Sequence, residues 1–199
     1  MSDDIYQAPE ADLESEVEVV EHEFYVVSGP KFLALMIVTL GWYELYWFYR
    51  HWKNYRICHK ESMWPVMRAI FSIFFAHSLF GKIDASLQVE NKKFSWSPGL
   101  LATVYVVSTI VSRLAERFAN YSDEITVIDL ISLGLFPIVI WCLYRVQMAA
   151  NIACNDPQAS SNANFTPANF IWLAMGALLW GLVIFGLYVG FVEPDWALS

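Results

Sequence analysis

The sequence has no Lys or Arg before Lys31, no paired cysteines and no charge at all between Phe170 and Val192. Each absence removes a class of protein. Cys58, Cys142 and Cys154 stand singly with no C-x-x-C pair, which argues against a disulfide framework or a zinc site. His51, Cys58 and His59 make only a superficial metal set, because no nearby carboxylate or second thiol completes it. An acidic start lacks the basic n-region of a signal peptide, so the first apolar helix is expected to be its own targeting signal. There is no H-E-x-x-H, no G-x-S-x-G and no pair of aspartates within an apolar run. The expectation is therefore a protein that is not an enzyme and holds no cofactor and no metal.

What is present is apolar surface. Hydrophobic residues make up 57% of the 199 residues and aromatic ones 17%, too much for a soluble domain of this size. The net charge of −8 misleads, since residues 1–27 hold nine acids and the rest of the chain balances twelve basic residues against eleven acidic ones. That division gives an acidic N-terminal tail over 1–27, expected to be mobile or to dock on a partner, and a helical membrane domain over 28–199. It also leaves no basic patch for nucleic acid. Within the tail, Leu13, Val17, Val20, Phe24 and Val27 would share one helix face, with a short strand over Val17–Val19 as the alternative.

Proline marks four helix starts, at Pro30, Pro65, Pro98 and Pro167, and Ser or Thr precedes three of them as a cap. Ser122-Asp123-Glu124 opens a fifth. The predicted helices run over 31–57, 65–82, 98–118, 123–150 and 167–192. Stretches 31–50, 98–118, 125–145 and 167–192 are each long enough to span a bilayer, which takes ~20 residues. Only thirteen residues separate Arg68 from Lys82, so the second helix reads as interfacial or re-entrant. The fold class is thus an all-α membrane protein with four transmembrane helices plus one interfacial or re-entrant helix, the alternative being five transmembrane helices. With four spans and the N-terminus outside, basic residues divide nine inside against three outside; with five they divide seven against five. The positive-inside rule prefers the first, with a periplasmic N-terminus.

Several polar groups fall at membrane depth and need a partner or a purpose. Glu44 has Arg68 and Arg145 within its expected reach. Arg113 and Asp129 fall at similar depth on two helices joined by a short link, so they are expected to pair, with Glu116 as the competing acid. His77 sits mid-way along the second helix and is expected to be neutral and hydrogen-bonded. Gln147 and Asn151 begin an asparagine-rich connection whose turns and caps explain most of its composition, with a polar cluster closing one mouth of the bundle as the functional alternative. Trp42, Tyr46, Trp47, Tyr49 and Trp52 surround the first helix and are expected to anchor it at the headgroups, with a lipid-headgroup or quaternary-amine cage as the other reading. Gly134 and Pro137 predict a kink in the fourth helical segment.

The stretches TLGWYELYWFYRHWKNYR and WPVMRAIFSIFFAHSLF carry a resemblance. They resemble a family of small bacterial inner-membrane proteins grouped by a shared domain of unknown function, over most of residues 24–180. Gly41, Trp47, Arg50, Trp52, Pro65 and Arg68 fall on the shared pattern. The resemblance implies a polytopic inner-membrane protein in contact with the lipid bilayer, and it brings no activity. Scaffolding, regulation or membrane sensing, alone or with a membrane-protein partner or as a homo-oligomer, is then the leading expectation. The alternative is a small oligomeric transporter or channel, with Glu44, His77 or Arg113 and Asp129 in a polar path.

Overall fold

The computed structural model describes residues 20–119 and 127–192, with side chains at 118–119, 127–130, 132–133, 187 and 189–192 outside the description. Among the described residues there are seven α-helices and no strand. They are α1 (Gly29–Val38), α2 (Tyr43–His59), α3 (Pro65–Ile70), α4 (Ser72–Val89), α5 (Pro98–Ala119), α6 (Val127–Ala153) and α7 (Pro167–Val192). Three helices are long and apolar enough to cross a membrane: α5 over Pro98–Arg117, α6 over Gly134–Ala153 and α7 over Pro167–Gly186. Pro137 lies inside α6 without ending it.

The stretch expected to be the first span is not one helix. Thr39 to Trp42 break it into α1 and α2, and the chain doubles back there. The break is a Schellman turn: Gly41 N–H donates to Met36 O at 2.9 Å and Leu40 N–H to Ile37 O at 3.1 Å. Leu40 and Gly41 both take left-handed dihedrals, with φ of 50° and 87°. Thr39 Oγ1 donates to Leu35 O and accepts from Tyr43 N–H, so one hydroxyl closes the old helix and opens the new one. The reversal returns α2 to the end of the bundle from which α1 set out. Gly29 lies against Tyr144, the turn lies against Phe136, and His59 at the end of α2 meets Glu23 from the segment before α1.

Gly41 has little room for a side chain, because a Cβ would lie 3.2 Å from Phe136 in a backbone conformation that L residues avoid. Gly41→Val is therefore expected to lower stability by about 1–3 kcal/mol, read as the midpoint of unfolding in detergent. Leu40→Gly, which relieves a left-handed leucine, should move the midpoint the other way.

The second helix is also divided, at Phe71. α3 packs along α2, with Arg68 stacked 4.4 Å over the Trp52 ring, and the bent pair reaches deepest near Ser72, which meets Tyr105 on α5. α4 then runs antiparallel to α5, through His77 against Thr103 and Asp84 against Trp96. It ends where α2 ends, with Ser86 donating to Glu23.

Residues 20–28 correct the expected tail boundary. Phe24, Tyr25, Val26 and Val27 are buried, and the segment, neither helix nor strand, bends at 21–24 and passes through the helices as a strap. A segment that is neither helix nor strand leaves its backbone polar groups to find other partners. Here amide side chains supply them. Asn54 donates to His22 O and Phe24 O, Gln147 to Tyr25 O and Asn162 to Val26 O. Asn151 both donates to Val27 O and accepts from Val27 N–H. Residues 1–19, including the helix or strand expected there, lie outside the described residues. Ser28 precedes α1 but makes no side-chain cap, its carbonyl accepting from Phe32 instead.

Candidate functional site

The doubling back of the chain creates a groove. The tips of α1–α2 and α3–α4 stop part-way along α5 and α6, and below them lies a cavity of about 400 Å³. Its walls are Met36, Leu40, Leu45, Ile70, Phe136 and Val139, and its polar groups are Glu44, Ser72, Thr109, Ser112, Arg113 and Glu116. The size lies at the lower end of the range of small-molecule sites.

Glu44 forms the closed end. It sits in the first turn of α2, where the helix dipole favours a carboxylate. Tyr105 Oη donates to Glu44 Oε1, and Ser72 Oγ in turn donates to Tyr105 Oη at 2.9 Å. Arg113 supplies the opposite charge across the groove. Arg68 and Arg145 do not take the role expected of them. Arg68 lies over Trp52 and Phe75, and Arg145 over Phe94 with a bond to Ser95 O. Asp129 lies among the side chains outside the description, so the expected pairing of Arg113 with Asp129 falls there too.

At the mouth the side chains are exposed. Trp42 is 62% exposed, Leu45 and Ile70 are exposed beside it, and Arg113 and Glu116 face outward on α5. The inner wall is dense. Trp47, Phe48, Tyr105, Leu143 and Val146 are wholly buried, with Phe48 ringed by Trp47 at 4.9 Å and Tyr105 at 5.6 Å. Among the described residues this packing makes the groove a dead end behind Glu44.

Behind that wall lies the amide cluster that holds the strap. Gln147 accepts from Trp47 Nε1 at 2.5 Å and donates to Asn151 Oδ1 at 2.7 Å, and both amides are buried. Lys31 closes the same end of the bundle. Its ammonium donates to Asn162 Oδ1 and Asn164 O, both at 2.6 Å. The asparagine-rich connection is thus the outer half of a clasp whose inner half is α6.

The remaining sequence-predicted residues scatter. His77 is on an exposed face of α4, at 3.1 Å from Thr103 Oγ1. Thr103 gives its own proton to Gly99 O, so His77 Nε2 carries the hydrogen toward Thr103. Trp47 and Trp52 are core residues rather than headgroup anchors, both wholly buried. Tyr46 packs between Tyr25, Tyr43 and Trp172, Tyr49 is half-buried, and Trp42 stands at the groove mouth. These rings therefore build no cage. His51 is buried in the core against Trp47 while Cys58 and His59 are exposed, so they do not share a site. No group of three or more potential metal ligands occurs among the described residues.

Sequence reasoning missed the strap and Asn54, which receives part of it. It also missed Ser72 and Tyr105. Two signals were there: the apolar run Phe24–Val27 at the end of an acidic stretch, and amides four residues apart at Gln147 and Asn151 in an otherwise apolar helix. No protein-family model, curated protein or solved structure matches this chain.

Proposed function

We infer that the chain is a non-enzymatic membrane protein of the regulatory or membrane-sensing kind, with the groove below the helix tips as its sensing site. The observation that carries this reading is the dead end at Glu44. A groove that is open at the mouth, charged inside and backed behind Glu44 by the buried Tyr105, Phe48 and Trp47 is built to hold something, not to pass it.

Charge distribution supports an orientation. Lys31, Arg50, Lys53, Arg56, Lys60, Arg68, Lys82, Lys92, Lys93 and Arg145 belong to the helix pairs, or to the ends and connections, on the strap side. Only Arg113 and Arg117 lie in the far half of α5. The expectation of an outside N-terminus depends on 31–50 crossing once. With that stretch folded back, the count becomes ten against two, and the positive-inside rule favours the strap and both helix pairs on the cytoplasmic side. Three crossings by α5, α6 and α7 follow from that reading. A bacterial inner membrane, and kinship with the family grouped by the aromatic helix-exit motif, belong to the same proposal and rest on that motif alone.

Reconstitution tests both parts. Proteoliposomes should show no proton or small-solute flux above empty vesicles, with or without Glu44→Gln. A flux that Glu44→Gln abolishes would replace this reading with a transporter. In membrane vesicles, a membrane-impermeant maleimide should label Lys60→Cys only when the cytoplasmic face is outward, in a background whose Cys58, Cys142 and Cys154 are alanine. Labelling from the opposite face overturns the orientation.

A further inference from the structure

We propose that the groove binds a phospholipid whose zwitterionic headgroup carries a primary amine, with the amine between Glu44 and Glu116 and the phosphate on Arg113. The proposal rests on the sensing reading above and gives its ligand a chemical class. Three features of the groove select it.

The first is charge. Among the described residues, two carboxylates and one guanidinium line a single cavity. A lone anion would satisfy Arg113 and be repelled twice, while a lone cation would meet Arg113. A headgroup with both signs meets all three. The second is hydrogen-bonding. Carboxylates only accept, and a primary ammonium has three hydrogens to give where a quaternary one has none. Aromatic rings are what would favour a quaternary amine, and among the described residues Trp42 is the one aromatic side chain near the mouth besides Phe136 on the wall. Guanidinium, in turn, matches a phosphate through paired N–H donors.

The third feature is placement. Arg113 lies six residues before Ala119, the end of α5, which is ~9 Å along the axis. A headgroup drawn down from the near leaflet surface reaches that depth with its acyl chains still in the bilayer. The exposed Leu45 and Ile70 at the mouth offer those chains an apolar edge. A water-soluble zwitterion would meet that edge without using it.

The test uses the purified full chain in a mild detergent, with lipids added back and the unfolding midpoint followed. Phosphatidylethanolamine should raise the midpoint at concentrations about tenfold or more below those needed with phosphatidylcholine or phosphatidylglycerol. Arg113→Gln and Glu116→Gln should each abolish that preference, read against each variant's own midpoint without lipid. Equal stabilisation by all three lipids, or a preference that survives both substitutions, overturns the proposal. So does an equal shift from soluble phosphoethanolamine alone, which would mean that the acyl chains are not part of the ligand. A preference for phosphatidylglycerol also overturns the amine assignment, yet it leaves the groove a lipid site and the sensing reading intact. Only flux through the reconstituted protein would defeat that reading.

Discussion

Asn151→Leu is expected to free the strap and destabilise the protein by about 3 kcal/mol or more, since each buried polar group left without a partner costs roughly 1–3 kcal/mol. The shape of the side chain is nearly kept, so the loss is one of hydrogen bonds. Asn151 Oδ1 accepts from Val27 N–H and from Gln147 Nε2, and its Nδ2 donates to Val27 O at 2.9 Å. Leucine removes all three bonds at a position 1% exposed, where water has no route to replace them. Gln147 would keep its bonds to Trp47 and Tyr25 but lose its neighbour, and the backbone of Val27 would be stranded inside. The strap should then open, bringing Phe24–Val27 within reach of protease. Two measurements check this: the unfolding midpoint in detergent, and limited proteolysis between residues 20 and 28. Gln88→Ala is the control. Its amide bonds the neighbouring Asp84 on an exposed face, so its effect should stay within about 0.5 kcal/mol. An unchanged midpoint with a protected strap would mean that packing of Phe24 and Val27, and not the amides, holds the segment.

How far the sequence revealed this arrangement depends on which force decided each part. Helix starts were plain, because proline in a first turn is a local steric signal: α3, α5 and α7 each begin on one. The reversal at Thr39–Trp42 was hidden. Apolar content says that a stretch avoids water, and it is the same whether the stretch crosses or folds back. Nothing in a leucine announces a left-handed φ, so only Gly41 marked the turn, and single glycines are common in membrane helices. The strap was hidden for the opposite reason. Its own residues are short of polar partners, and those partners come from Asn54, more than twenty-five residues on, and from Gln147, Asn151 and Asn162, more than a hundred residues away. The groove stands between these cases. Glu44 and Arg113 were recognisable singly as charges at membrane depth, yet their convergence required the turn. The same turn took Trp47 and Trp52 out of the expected aromatic belt. Once α2 doubles back, Trp47 and Trp52 face α6 and α3 and become core.

Gly176→Val should separate α7 from the rest of the bundle. A Cβ at Gly176 would lie 2.4 Å from Val38 O and 2.6 Å from Val38 Cγ1, and Val38 O belongs to the backbone at the end of α1, where it cannot swing aside. The helices must move apart. Overpacking of this kind costs about 1–3 kcal/mol, and α7 has little else to hold it. It packs mainly on α1, with Trp180 Nε1 reaching Ile37 O at 3.4 Å and Trp172 against Tyr43 and Tyr46. Leu178, Leu182, Ile184 and Phe185 are exposed. The unfolding curve in detergent is therefore expected to shift to lower temperature, with hydrogen exchange rising first along α7. Gly181→Ala separates close packing from helix propensity. Nothing lies within 4 Å of a Cβ there, so alanine should leave the midpoint unchanged or raise it by up to ~1 kcal/mol. If Gly176→Val behaves like Gly181→Ala, α1 and α7 are not in contact in the membrane, and the α1–α2 turn stands without that brace. If it behaves as expected, one glycine sets the distance between the helix that folds back and a helix long enough to cross.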